Sequence, residues 1–211
     1  MAPMTVLQSS LFDTGSEPAL RPLDGLVRRV PLGAGAWVDH LPGWVERSDL
    51  LFEALVAGVA WRADERTMYD RTVAVPRLVA TYGVGAATPH PVLDRARSRL
   101  AGHYRGQPGA ELATVGLCLY RDGRDSVAWH GDTIGRGTTG DTLVAIVSLG
   151  QRRRFLLRPV AGGPSRRFEL GAGDLLVMGG RSQQAWEHSV PKTVRPVGPR
   201  LSVQFRSVGA G

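Results

Sequence analysis

The reading of this chain starts from Tyr120-Arg121-Asp122-Gly123-Arg124-Asp125-Ser126-Val127-Ala128-Trp129-His130-Gly131-Asp132. In an extended strand, residues two apart point to one face, so His130 and Asp132 can offer an imidazole nitrogen and a carboxylate oxygen to one ion. A third nitrogen from the distant His188 would complete a two-His, one-carboxylate face with the opposite positions open. Such a face suits non-haem Fe(II). His-x-Asp alone is common, and a surface His-Asp pair needs no metal. Here the pair ends a strand, a Gly/Thr-rich loop follows, and Trp186-Glu187-His188-Ser189-Val190-Pro191 comes later in the chain.

Outward from this stretch, Thr114–Tyr120, Ser126–His130, Thr142–Leu149, Arg154–Arg158, Arg167–Leu170, Leu175–Met178, Ala185–Val190 and Leu201–Arg206 read as short strands separated by turn residues. Their spacing predicts a mainly β sandwich or barrel with flanking helices, an α+β chain. Upstream, Leu50, Leu51, Leu55 and Val59 recur at helical spacing, which predicts a helix capped by Ser48 or Asp49 and ending near Trp61. A second helix is expected from Pro91 to Tyr104, with Leu93, Ala96 and Leu100 as its buried stripe. Thr67 to Gly83 reads as two extended pieces joined at Pro76. Leu26 onward reads as a strand followed by a Pro-Leu-Gly-Ala-Gly-Ala turn. Residues 1–25 read as an N-terminal arm pinned by Leu11 and Phe12, and 26–208 as the catalytic domain.

In Arg200-Leu201-Ser202-Val203-Gln204-Phe205-Arg206 one face is polar and cationic and the other apolar. If the polar face lines a barrel interior, Arg200 is a buried guanidinium that needs a carboxylate, because an unpaired buried charge is expensive. A small dicarboxylic acid would satisfy it bidentately. If the polar face meets solvent, Arg200 is a surface residue. The sequence leaves both open.

The chain has 211 residues, 43% of them hydrophobic, which is enough for one sizeable core. Its 26 Lys and Arg exceed its 19 Asp and Glu by 7, which favours polyanionic partners; an Arg-rich proteome gives the same excess. With one cysteine, Cys118, an internal disulfide and a Cys-based zinc site are excluded, and a reducing, cytoplasmic setting is expected. There is no signal-peptide pattern and no apolar run long enough to span a membrane. Nothing signals an obligate protein partner.

Taken in order, these pieces resemble the AlkB family of Fe(II)- and 2-oxoglutarate-dependent dioxygenases: Pro76-Arg77 with Tyr82-Gly83, Tyr120-Arg121-Asp122-Gly123, Trp129-His130-Gly131-Asp132, Ser148-Leu149-Gly150, Gly173 to Met178, Trp186 to Pro191, and the Arg200 to Arg206 strand. The resemblance covers roughly 26 to 208. It implies a double-stranded β-helix, or jelly roll, with iron held by His130, Asp132 and His188. It places Tyr120 and Arg200 on the distal carboxylate of 2-oxoglutarate, with Arg206 beside the metal and Ser202 in the cosubstrate region. With O2, 2-oxoglutarate is decarboxylated to succinate while an N-alkyl carbon on a damaged base is hydroxylated and lost as formaldehyde. The implied partner is alkylated single-stranded DNA or RNA. The region near 66–90 corresponds to a nucleotide-recognition lid, so Tyr69, Arg71, Arg77 and Tyr82 are candidate substrate contacts. Trp186 joins them as an aromatic beside a motif, and Arg152, Arg153 and Arg154 as candidate phosphate grips.

Three positions depart from the family pattern. Cys118 and Ser202 stand where asparagines are common, and Thr133-Ile134-Gly135-Arg136 replaces acidic residues after the His-x-Asp motif. Base preference therefore does not carry over. Two rivals follow: the same site acting on a small molecule, a protein or a modified tRNA, and a catalytically silent jelly roll that binds nucleic acid.

Overall fold

The computed structural model describes residues 17–68, 71–132 and 140–207. In chain order the elements are β1 (Ala19–Leu20), β2 (Arg28–Gly33), β3 (Ala36–Leu41), β4 (Val45–Glu46), α1 (Ser48–Gly58), β5 (Arg62–Met68), β6 (Arg71–Tyr82), α2 (Pro91–His103), β7 (Leu112–Tyr120), β8 (Val127–His130), β9 (Val144–Gly150), β10 (Arg153–Pro159), β11 (Arg166–Leu170), β12 (Asp174–Gly180), α3 (Ser182–Ala185), β13 (Trp186–Val190) and β14 (Arg200–Ser207). Eight strands form one sheet in the order β2-β3-β12-β9-β14-β7-β6-β5. Four form a second, β11-β10-β13-β8, and β1 pairs with β4.

Alternation along the strands divides the interior in two. Val144 and Ile146 of β9, with Leu176 and Met178 of β12, pack against Phe155 and Leu157 of β10 in a cluster between the sheets. Ala145, Val147 and Leu149 point the other way, to Leu51 and Leu55 of α1 and to Leu93, Ala96 and Leu100 of α2. The helices thus cover the outer face of the large sheet, the arrangement expected from sequence. Leu201, Val203 and Phe205 of β14 are 0% exposed on that helix side, and each contributes about 1.5–3 kcal/mol by burial. The opposite face of β14 is therefore turned inward, between the sheets. This settles the alternative left open for Arg200.

All eight downstream strands form within two residues of their expected ends. Upstream, four expectations are corrected. The turn after β2 is only Ala34-Gly35, both at positive φ as a two-residue hairpin requires, so Ala36 to Leu41 is a further strand. α1 starts after Arg47 in the left-handed region with no side-chain cap, Ser48 being buried, and it ends at Gly58. β6 runs through Pro76 without a break. Its register against β5 slips between Ala63↔Leu78 and Glu65↔Ala74, so Pro76 sits in a bulge where its missing N–H costs no ladder bond, and its carbonyl accepts from Ser126 N–H at 2.9 Å. The arm from residue 17 is built into the body: Leu23 is buried, and Arg21 and Trp44 exchange hydrogen bonds. Leu11 and Phe12 lie outside the described residues.

Candidate active site

β8 and β13 pair antiparallel with His130 opposite His188 and Val127 opposite Val190. Three steps on β8 therefore oppose two on β13, and the bulge turns both Val127 and His130 inward while Trp129 faces out under the Arg158 guanidinium, 4.5 Å away. The two imidazole rings lie 4.1 Å apart between centroids, and one ligand atom each of His130, Asp132 and His188 falls within 4.8 Å of the others. His130 Nδ1 donates to the Ala128 carbonyl at 2.8 Å, since a carbonyl can only accept. Nε2 is left as the open lone pair. His188 is buried and stacks on Phe155 at 5.4 Å.

Burial first, and then His130, push His188 down to about 3, and burial also lowers His130, so both rings are neutral at neutral pH, the form that binds a cation. For Asp132 burial acts upward, but Arg206, His188 and His130 outweigh it and hold the carboxylate below its usual range. Arg206 reaches the two Asp132 oxygens through Nε and Nη2, each at 3.4 Å, and the Asp132 N–H donates to Gln183 Oε1 at 3.1 Å.

This triad sits on the wall of a cavity of about 460 Å³, whose lining includes Arg77, Tyr120, Phe155, Arg200, Ser202 and Arg206. At its floor Arg200, 1% exposed, donates from Nε to Ser148 Oγ at 2.9 Å, and Nη1 is buried without a partner. Among the described residues no carboxylate lies within ion-pair distance of it. Tyr120, 2% exposed, lies with its ring centroid 5.3 Å from the Arg200 guanidinium and 5.9 Å from that of Arg153. Burial pushes its phenol up to about 12, so it remains an O–H donor. Ser202 Oγ accepts from Gln204 Nε2 at 3.2 Å, and the same amide lies 3.5 Å from Cys118 Sγ. A buried cation with an orphaned N–H in a cavity beside a His/Asp/His set fits a small dicarboxylate and a divalent metal.

Of Arg77, Tyr82 and Trp186, the candidate substrate contacts among the described residues, Arg77 alone reaches this cavity. It donates to the Ser126 carbonyl at 3.3 Å, and its Nε is buried without a partner. Tyr82 turns the other way, as alternation on β6 requires, and packs with Leu78 on the helix-side core. Trp186, 6% exposed, is spent in the core between the sheets and does not line the cavity. Tyr69, the Arg71 side chain and Thr133 to Arg136 lie outside the described residues. Arg153 is no phosphate grip. It is 4% exposed and donates to the carbonyls of Asp122, Asp125 and Pro191 at 2.8 to 2.9 Å, tying the loop before β8 to the end of β13. Its alternation with Phe155 and Leu157 in β10 was the available sign of an inward arginine. Gln183, behind Asp132, left no such sign.

A family model described as the 2OG-Fe(II) oxygenase superfamily matches residues 48–206, most of the chain. The chain belongs to that superfamily. This oxygenase is AlkB-like: it is 31% identical over 188 residues to the alpha-ketoglutarate-dependent dioxygenase alkB homolog 3 of Bos taurus, covering 79% of the chain and 64% of that relative. It is 32% identical over 161 residues to the DNA oxidative demethylase ALKBH2 of Homo sapiens, covering 67% of the chain and 60% of the relative. The chain thus spans less than two thirds of the length of these relatives. In fold it is similar to a solved structure titled "The structure of OsALKBH1", with TM-score 0.55 and 17% identity over 85% of this chain and 100% of the other. It is also similar to a prolyl hydroxylase from Trichoplax adhaerens, with TM-score 0.57 and 11% identity over 81% and 83%. The oxygenase therefore has the jelly-roll fold, and its superfamily implies Fe(II), 2-oxoglutarate and O2.

Proposed function

We propose that this oxygenase removes N-alkyl groups from nucleobases of DNA or RNA by oxidative dealkylation. The observation that carries the reading is the unpartnered Arg200 nitrogen at the floor of a cavity whose wall holds His130, Asp132 and His188. The named relatives support the substrate class, as one is called a DNA oxidative demethylase. In this reading His130 Nε2, His188 and Asp132 hold the iron. Bound there, the metal supplies the oxidising chemistry by which 2-oxoglutarate becomes succinate and the alkyl carbon is hydroxylated, after which the hemiaminal loses formaldehyde.

The chain's own part is positioning and exclusion of water. Ala128 fixes the His130 tautomer through Nδ1, and Arg206 and Gln183 hold Asp132 in place. Arg200 and the Tyr120 hydroxyl take the distal carboxylate of the cosubstrate, with Ser202 beside them. Arg77 lines the cavity toward its Tyr120 end, as the pairing of Leu78 with Leu119 requires, and its buried, unpartnered Nε is available to a bound group there. Single-stranded DNA or RNA is favoured as substrate because the target base must leave its stack to enter. The β5–β6 hairpin and the segment to about residue 90 are the proposed lid over it. A reducing, cytoplasmic setting agrees with the lone, buried Cys118. No helix among the described residues is long and apolar enough to cross a membrane.

Anaerobically iron-loaded protein given 2-oxoglutarate, air and an oligonucleotide containing 1-methyladenine and 3-methylcytosine should release formaldehyde and succinate, and His130→Ala should release neither. Succinate without formaldehyde would move the substrate to another class. Neither product, with iron and 2-oxoglutarate shown to bind, would end the enzymatic reading.

A further inference from the structure

Five buried side-chain polar atoms among the described residues have no hydrogen-bonding partner: His40 Nε2, Thr142 Oγ1, Ser182 Oγ, Arg77 Nε and Arg200 Nη1. Only the last two belong to residues that line the cavity, and both are guanidinium donors. A buried donor on a cation is the costliest kind to leave unsatisfied, so each calls for an explanation. The carboxylates of the adjoining loop and of the triad are committed to other arginines: Asp122 to Arg124, Asp125 to Arg121 and Asp132 to Arg206.

The two arginines stand in one row. β6, β7 and β14 are neighbours in the large sheet. Tyr120 pairs with Arg200, and one step beyond Leu78↔Leu119 the β6 register brings Arg77 to the other side of Tyr120. Directly opposed residues share a face, so the three side chains project abreast between the sheets, with the two arginine-bearing strands about 10 Å apart and the phenol between them. Burial pushes that phenol up, while the charges of Arg200, Arg77 and Arg153 act downward on it. Arg153 has spent its donors on three carbonyls. Arg77 is half spent: Nη1 donates to the Ser126 carbonyl at 3.3 Å, and the Ser126 N–H donates to the Pro76 carbonyl at 2.9 Å. That anchor ties β6 to the loop before β8. It accounts for Nη1 and leaves Nε without a structural reason.

We propose that Arg77 is a second arginine for the distal carboxylate of the cosubstrate, gripping it opposite Arg200 across the Tyr120 hydroxyl. The inference rests on the cosubstrate placement given above and adds a cation to it. A carboxylate has lone pairs enough for several donors, so one anion satisfies both orphaned nitrogens. Arg77 thereby becomes a determinant of which 2-oxoacid the oxygenase accepts, and not a contact to the base.

The test uses two ligands with one metal-binding head: 2-oxoglutarate, and 2-oxovalerate, in which a methyl group replaces the distal carboxylate. Their binding to anaerobic Fe(II)-loaded protein without nucleic acid is measured by calorimetry for wild type, Arg77→Met, Arg77→Lys and Arg200→Met. Arg77→Met should raise the Kd of 2-oxoglutarate roughly 10- to 100-fold, the scale of one charge-assisted hydrogen bond, and should leave that of 2-oxovalerate where it was. Arg77→Lys keeps the charge without the planar fork and should fall between. Ligand-free melting temperatures report the loss of the Ser126 anchor separately. Equal weakening of both ligands would make Arg77 a strut or a contact to the metal-binding head. No weakening of either, with a lowered kcat/KM for the alkylated oligonucleotide, would return it to the base. Either result overturns the proposal. If Arg200→Met also leaves the preference for 2-oxoglutarate over 2-oxovalerate intact, the cosubstrate placement falls with it.

Discussion

Arg200 is a buried cation whose Nε donates to Ser148 Oγ, whose guanidinium lies beside the Tyr120 phenol and whose Nη1 has no partner among the described residues. Replacing an uncompensated buried cation by an apolar residue of similar length is often neutral or stabilising, so ligand-free Arg200→Met should melt at the wild-type temperature or above it. The two proteins should part when 2-oxoglutarate is added. At a hundredfold excess over its Kd the ligand stabilises wild type by about 2.7 kcal/mol, and this gain should vanish in Arg200→Met; differential scanning fluorimetry reads both effects. At this scale the sequence was informative where alternation decided the matter. Arg200, Ser202, Gln204 and Arg206 share a face in any regular strand, and the burial of Leu201, Val203 and Phe205 fixed which face was inside. It was uninformative where an aromatic's direction depends on its sheet: Tyr82 and Trp186 fill cores on opposite sides of the sheet system, and no spacing around them distinguished core from cavity.

The loop from Arg121 to Ser126 and the bulged strand β8 form one element, and two arginines hold it. Arg153→Met should strand the carbonyls of Asp122, Asp125 and Pro191 and cost about 2–4 kcal/mol in urea unfolding, as expected for several buried acceptors losing a charged donor. Arg121 clasps Asp125 through Nε and Nη2 at 2.8 and 2.9 Å. Burial pushes the Asp125 carboxyl up, but the hydrogen bonds from the Arg121 side chain and backbone together prevail and hold it below its ordinary value. A depressed folded value means that the stabilisation is complete above the unfolded value, near pH 4, and is lost as pH falls through the folded one. Urea midpoints of wild type and Arg121→Gln should therefore differ at pH 7 and converge toward pH 2. Sequence spacing found β8 but not its bulge, because strict alternation places Val127 and His130 on opposite faces. That conflict between an apolar residue and a ligand-type residue three apart was the legible trace of the extra residue. Pro76 misled for a related reason: a proline ends a regular ladder, and a bulge removes the ladder bond that it would have broken.

Over the whole molecule the excess of 7 positive charges is carried almost entirely by arginine. Several of these arginines are committed internally, among them Arg29 to Asp39, Arg121 to Asp125 and Arg158 to Glu187. Nucleic-acid binding through about three phosphate contacts should then weaken roughly 20-fold between 50 and 200 mM salt for a single strand, as measured by anisotropy with iron-free protein; a flat salt profile would remove the backbone contacts from the picture. Fold class was legible from the strand series because turn residues mark the ends of short strands. The first hairpin and the built-in arm were not, because β3 is settled by its pairing with β12, more than a hundred residues on, and the arm by β1 pairing with β4 and by Arg21 with Trp44. The cavity floor has a further consequence for the protein in its cell. In the proposed reading Arg200 grips the carboxylate that the reaction leaves untouched, and succinate still carries that group when the turnover is over. The floor alone cannot tell spent coproduct from fresh cosubstrate. Output should follow the ratio of the two acids and not the level of either, and added succinate should inhibit competitively against 2-oxoglutarate.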